Sequence, residues 1–448
     1  IKQVLELPQV VSNTVQGMGF SGFMHSIMGV DRKLEPITPC IAWADLRTSK
    51  QVEEIGREFG DTVIYQRTGC PIHTTYVPAK LRWLRDTMPK EFQQVWKFMS
   101  VKEWILAKLT DEWVCDLGIA SGSGLLNIHD LTWDPTALKA GGITYERLFT
   151  PVDPQTVLPG MGSKFASLQG LPYHIPIVVG SSDAALSSVG AGAVLPKTFT
   201  AMIGTSAAVR ILTQKPFFDD EARSWCYYAC DGYWVVGGAT NNGGNVLRWY
   251  KDLFGEVDYE VLSMEAESAP PGSGGLLFLA FLAGERAPNW NSDARGVLFG
   301  LNLSHGTPHI IRSIMEGVVY QVKGIYNILR PVCPLPSSIR ATGGFANSDV
   351  WLSIMASVFG QALDVLPHVE GSAVGAAALA RTTLLNLGGL EWVSECIQPI
   401  MRVEPSRQDH EVYERLYKQY LRIYNLLEKE FTAISQFQRG GQSHEYFP

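Results

Sequence analysis

Apolar residues recur with a helical period over 309–329, at positions 311, 314, 315, 318, 322, 325 and 329. That spacing predicts a long helix with one apolar face. A second amphipathic helix is predicted over 410–431, and shorter helical patterns over 48–59, 78–88 and 101–110. Compact apolar runs read differently. "IPIVVG" (175–180) fits a buried strand feeding a turn, and 184–192 can follow as a helix of small residues. "TFTAMIGTS" (198–206) and "YWVVGGATN" (233–241) read as strands that end in glycine turns. "TVQGMG" (14–19) reads as a short buried strand, and another apolar run reaches Trp43 before turning polar. Strands and helices alternate throughout, which predicts an α/β fold. Pro196 separates two stretches of this pattern, so domains are expected over 1–195 and 196–448. No fixed-period repeat or low-complexity tract interrupts them.

Composition narrows the function. The 448 residues are 46% apolar, enough for large cores, and the formal net charge of −7 is spread without long runs. That argues against a nucleic-acid or anionic-membrane surface as the main partner. The longest apolar run, "LLFLAFLA" (276–283), is far short of the roughly 18–20 residues that cross a bilayer. Seven scattered cysteines without a C-x-x-C suit a reducing cytoplasm rather than a disulfide scaffold or a zinc site.

Candidate chemistry lies at strand ends. Gly17, Gly19 and Gly22 match G-x-G-x-x-G, but the following segment is short and broken, and Asp31 comes too soon for a ribose-binding acid. "SGFMH" sets Met24 and His25 directly after a strand, where α/β proteins bind ligands or simply bury a histidine. "WADLR" alternates Trp43, Asp45 and Arg47. A ring face and a carboxylate suit a polyol; a turn with a surface ion pair uses the same residues. Asp183 is the lone acid in "GSSDAALSSVGAGA" (180–193), and so is either a helix N-cap or a catalytic carboxylate. "IGTS" offers Gly204, Thr205 and Ser206 to a phosphate. "NNGGN" with Gly243 and Gly244, and "ATGGFANS" with Gly343, Gly344 and Asn347, repeat the theme. Three such turns in one half of the chain suggest a surface for close approach to a nucleotide. Residues 283–296 gather Glu285, Arg286, Asp293 and Arg295 into a loop that reads as solvated ion pairs or as a functional segment.

"ARGVLFGLNLSHGTPHIIRSIMEG" (294–317) resembles the C-terminal signature of the FGGY family of carbohydrate kinases, with Gly296, Gly300, His309, Ser313 and Glu316 at the family's spacing. "SGFMH", "WADLR", "GSSDAALSSVGAGAV", "IGTS" and "GGFANS" follow in family order, so the resemblance covers nearly the whole chain. It implies an actin-like (ribonuclease H-like) ATPase fold of two domains around a cleft, a sugar-binding domain over 1–195 and a nucleotide-binding domain over 196–448. It implies transfer of the γ-phosphoryl group of ATP, with Mg²⁺, to a sugar hydroxyl. Asp183 would be the catalytic base and a ligand of Mg²⁺. Met24, His25, Trp43 and Asp45 would hold the sugar, and the three glycine turns the nucleotide.

"WADLR" with "TGCPIHTTYVPAKLRWL" (68–84) looks most like the gluconate kinases of the family, so conversion of D-gluconate to 6-phosphogluconate is expected. Xylulose or another polyol is the alternative acceptor, and a catalytically inactive binding protein is a third reading. Val77 stands where the family's first signature often has Pro, Ser or Thr. Arg47, His73 and Lys80 are the candidate cations for a gluconate carboxylate. The family's opening D-x-G-T hairpin has no counterpart here, on the order of 50 residues by the size of such units. On that ground this chain is expected to show little or no kinase activity without a restored upstream segment. A homodimer is the default assembly.

Overall fold

The structure, a computed structural model, describes residues 1–7, 15–162, 175–255, 257–367 and 370–440. In chain order the elements that matter for function are as follows. The first part runs β1 (Met18–Gly22), α1 (Ser49–Phe59), α2 (Val77–Thr87), α3 (Val101–Thr110), β2 (Val114–Asp116), α4 (Leu117–Gly122), β3 (Val157–Leu158), β4 (Ile177–Ser182) and α5 (Asp183–Gly190). Next come β5 (Thr198–Ile203), β6 (Ala207–Thr213), β7 (Trp225–Cys230), β8 (Tyr233–Thr240), α6 (Gly244–Phe254), α7 (Tyr259–Ser268) and α8 (Thr307–Leu329). The chain then forms β9 (Ser338–Thr342), α9 (Asp349–Phe359), β10 (Leu363–Val365), α10 (Gly371–Leu385), β11 (Met401–Val403) and α11 (Arg407–Gly440).

Two compact units result. The first comprises 1–196, 212–236 and 369–397; the second comprises 197–211, 237–368 and 398–448. The first segment therefore ends at Pro196, and two later segments return to pack with it.

In the first unit β4 lies between β1 (parallel) and β3 (antiparallel). Every residue of β4 is buried, as an unbroken apolar run of a central strand should be. β1 begins at Met18, later than the expected 14–19, and is half-buried; residue 14 lies outside the described residues. The glycines of the G-x-G-x-x-G match sit at or inside β1 and open no phosphate turn. A Cβ on Gly19 would come 2.4 Å from the Ala376 carbonyl oxygen on α10, and one on Gly22 would come 2.7 Å from the Lys102 side chain. They are packing glycines. Helices α5 and α10 approach equally closely, since a Cβ on Gly190 or Gly375 would meet backbone oxygen at 1.9 Å.

In the second unit β6, β5, β9, β10 and β11 run side by side in that order. β5 pairs parallel with β9 and β9 with β10, while the outer pairs are antiparallel. Phe199, Ala201 and Ile203 alternate inward with Ile339, Ala341, Leu363 and Val365, all buried. Helix α8 buries every one of its expected apolar positions. It also buries Arg312, Glu316, Gln321 and Lys323, which a one-faced helix would not. The reason is α11. Arg312 donates to Glu316 at 2.9 Å and to the Tyr413 hydroxyl at 2.9 Å, and Glu316 also accepts from Gly272 N and Ser273 Oγ, both at 2.9 Å. Lys323 pairs with Glu414. Each buried charge is thus met.

No helix among the described residues is long and apolar enough to cross a membrane. All seven cysteines are free.

Candidate active site

Asp183 stands where the buried strand β4 gives way to α5. The sequence allowed it to be that helix's N-cap. The structure gives the cap to Ser182, whose hydroxyl accepts from Ala185 N at 3.4 Å. Asp183 is the first helical residue, half-buried, and its Oδ1 accepts from Ala184 N at 2.8 Å. A carboxylate in the first turn is favoured by the helix dipole. Its side chain is not the cap of the helix.

Behind it, in the same unit, lies an ion pair that sequence reading missed. Lys102 Nζ, on α3, donates to Asp116 Oδ2 at 2.7 Å and to the Ser181 carbonyl at 3.2 Å. Asp116 Oδ1 caps α4 through Ile119 N at 2.9 Å. Both side chains are almost fully buried. One cation therefore ties together the ends of β1, β2 and β4.

Met24 and His25 follow β1 and are buried. His25 Nδ1 donates to the Gly122 carbonyl at 2.6 Å. A carbonyl only accepts, so Nδ1 carries the proton of this bond. The ring meets Tyr76 and Tyr227 edge-on, with centroids 5.1 and 5.9 Å away. Asp45 and Arg47 form a bidentate pair at 2.6–3.0 Å, and Arg47 lies over the Trp83 ring at 4.5 Å. Trp43 is 40% exposed on the same loop. Arg47 accordingly holds the Asp45 carboxyl below the usual carboxylate range. Of the three cations considered for a carboxylate, Arg47 is engaged by Asp45, His73 bonds Thr75 Oγ1 at 2.9 Å, and Lys80 is fully buried.

In the second unit a cavity of about 1010 Å³ is lined by Gly204, Thr205, Gly244, Asn245, Gly344 and Asn347, among others. The three glycine turns expected to converge do so. Gly204 N donates to the Ser206 carbonyl at 2.9 Å, and Gly244 N to the Gly204 carbonyl at 2.6 Å. Gly343 takes φ 100°, and its missing Cβ would sit 2.5 Å from the Ile203 carbonyl oxygen. Gly243 is as tight: a Cβ there would lie 2.7 Å from Ser206 backbone and 2.8 Å from the Gly204 oxygen. Only glycine fits where the backbones pack this closely. Ser206, Gly243 and Gly343 shape the turns from behind the lining. The opposite wall comes from α7 and α9, with Tyr259, Ser263, Met264 and Trp351. No local motif marks these four residues; only the fold gathers them.

The charged loop 283–296 is not the solvated ion-pair segment that its composition allows. Glu285 is 1% exposed and accepts from Asn289 Nδ2 at 2.9 Å, and burial pushes its pKa up to about 8. Asp293 and Arg295 both bond Ser435 of α11, at 2.9 and 2.8 Å. The loop is thus docked on α11.

Residues 1–190 match the N-terminal domain of the FGGY family of carbohydrate kinases, and residues 199–384 match its C-terminal domain. The chain belongs to the FGGY family of carbohydrate kinases. It is 36% identical to a gluconokinase of Bacillus subtilis, over 96% of this chain and 86% of that protein. It is 29% identical to a xylulose kinase of Staphylococcus epidermidis, over 97% and 87%. Among solved structures, gluconate kinase from Lactobacillus acidophilus superposes with a TM-score of 0.89 at 30% identity, covering 94% of this chain and 86% of that one. A ligand-bound xylulose kinase from the same species gives 0.90 at 30% identity, with the same coverage. These likenesses establish the two-domain α/β sugar-kinase fold. An FGGY kinase must bind a nucleotide and a carbohydrate.

Proposed function

We propose that this FGGY kinase phosphorylates D-gluconate to 6-phosphogluconate with ATP, and that Asp183 is the general base. The observation that carries the assignment is Asp183 itself: an acid at the end of a buried central strand, among residues too small to crowd a substrate, with the capping duty taken by Ser182. The gluconate assignment is supported by the similarity to gluconokinases over almost the full chain. The similarity to xylulose kinases keeps D-xylulose as the second acceptor to test.

In this reading Asp183 orients the reacting hydroxyl and takes its proton late, because phosphoryl transfer has a loose transition state that asks mainly for positioning and charge neutralisation. His25 meets a sugar hydroxyl through its ring, and Met24, Trp43 and Asp45 complete the sugar site. The turns at Gly204, Gly243–Gly244 and Gly343–Gly344 would let the nucleotide approach the backbone closely, with Thr205, Ser206 and Asn347 beside them. No cluster of three or more metal-ligating side chains occurs among the described residues. Mg²⁺ is commonly held by one or two carboxylates plus substrate phosphates. Asp183 would be its protein ligand, and the ion would neutralise charge on the transferring phosphoryl group. We also infer a homodimer, the commonest assembly, in a reducing cytoplasm that suits seven free cysteines.

The test is ADP release by the full-length protein over gluconate, xylulose, glycerol and ribulose, with Mg²⁺ and with a chelator. Gluconate-selective, Mg²⁺-dependent release is expected. Selective release with another sugar retires the substrate assignment, and silence from folded protein retires the catalytic one. A second expectation separates the two sites. Gly243→Ala forces a methyl group against Ser206 and Gly204 backbone. It should raise KM for ATP by roughly tenfold or more, and leave calorimetric sugar binding unchanged.

A further inference from the structure

His25 holds an unusual backbone. Its φ is 67°, in the left-handed region that residues other than glycine avoid. Such conformations persist where the surroundings over-determine them. On the side-chain end, Nδ1 is fixed by the Gly122 carbonyl and the ring by Tyr76 and Tyr227, whose hydroxyls bond each other at 2.7 Å. On the backbone end, the His25 carbonyl accepts from Lys80 Nζ at 2.6 Å. The same ammonium donates to the Thr75 carbonyl at 2.7 Å.

Lys80 sits in α2 and is 0% exposed. An apolar side chain would fill that space without giving up the hydration of a charge. What an ammonium supplies, and an apolar residue lacks, is donors for two main-chain oxygens on different loops. Thr75 belongs to the turn in which its own N and Oγ1 meet His73 Nδ1, at 3.2 and 2.9 Å. Burial draws the Lys80 pKa down to about 7, while Asp45 and Cys40 draw it up. The Lys80 amino group stands among three segments, around 24–25, 40–45 and 73–75. With its burial and its two carbonyl partners, it is placed to hold loops rather than to meet a substrate carboxylate.

We propose that Lys80 is the positioning residue of the sugar site: its buried ammonium joins the His25 and Thr75 carbonyls and holds His25 in the conformation from which its ring reads the sugar. The inference rests on His25 being a sugar-binding residue, as argued above.

The experiment is a double-mutant cycle in the full-length kinase. Lys80→Met should raise the sugar KM roughly tenfold or more and leave the ATP KM within about twofold. Lys80→Gln, a neutral donor, should fall between Lys80→Met and the parent. His25→Ala should raise the sugar KM at least as far, and the double variant no further, because both changes remove one interaction. Losses that add, or a Lys80→Met variant with the parent's sugar KM, overturn the assignment while leaving His25 in place. Failure of both Lys80 variants to fold makes Lys80 a core residue and overturns it too. If instead His25→Ala leaves the sugar KM unchanged, the underlying reading of the sugar site is at fault.

Discussion

Asp183→Asn should lower kcat by roughly a thousandfold, within the usual range for a lost general base, and leave sugar affinity and melting temperature near the parent values. The fold should tolerate the change for a local reason. Ser182 caps α5, and an asparagine oxygen can still accept from Ala184 N as Asp183 Oδ1 does at 2.8 Å. The amide is nearly isosteric but takes no proton from a hydroxyl at neutral pH. Steady-state kinetics, with calorimetric sugar binding on the same variant, decide the matter. Activity within tenfold of the parent would reduce Asp183 to a first-turn acid that serves the helix dipole.

Lys102→Met should have the largest effect on stability. It removes the charge that meets Asp116 at 2.7 Å and leaves that carboxylate buried with the Ile119 N–H as its remaining named donor. Breaking a buried pair from one side costs about 3–5 kcal/mol. For a unit of this size that is a fall in melting temperature on the order of ten degrees. Adding Asp116→Asn should return part of the loss, since the stranded charge is then gone while the cap acceptor remains. Thermal unfolding of both variants gives the comparison. A single variant as stable as the parent would show that Lys102 does not hold the three strand ends together.

Much of this was legible in the chain. The α8 period, the strands that end at Gly204 and Thr240, and the three glycine turns were read from local pattern alone, because their physics is local. For α5 the sequence left Asp183 as an N-cap or a catalytic carboxylate, and the structure gives the cap to Ser182. Ser182 and Asp183 are both good capping residues, and composition cannot say which one the chain leaves outside the helix. The Lys102–Asp116 pair, the Lys80 staple and the burial of Arg312 with Glu316 left no local mark. The first two join residues from separate elements, while Arg312 and Glu316, four apart on α8, are covered by α11; each places a charge where patterning predicts solvent. The loop at 283–296 could be read as solvated ion pairs or as a functional segment; Asp293 and Arg295 meet Ser435 of α11, more than a hundred residues later, which no local pattern shows. The cavity wall formed by Tyr259, Ser263, Met264 and Trp351 depends on two helices meeting and carries no motif.

The most direct measurement is a competition in one vessel. Full-length protein is given ATP, Mg²⁺ and equal concentrations of D-gluconate and D-xylulose, and the phosphorylated products are weighed by mass spectrometry. The account predicts that 6-phosphogluconate dominates, and that it disappears with Asp183→Asn. A product mixture led by phosphorylated xylulose, or phosphorylation that survives the loss of Asp183, would contradict it.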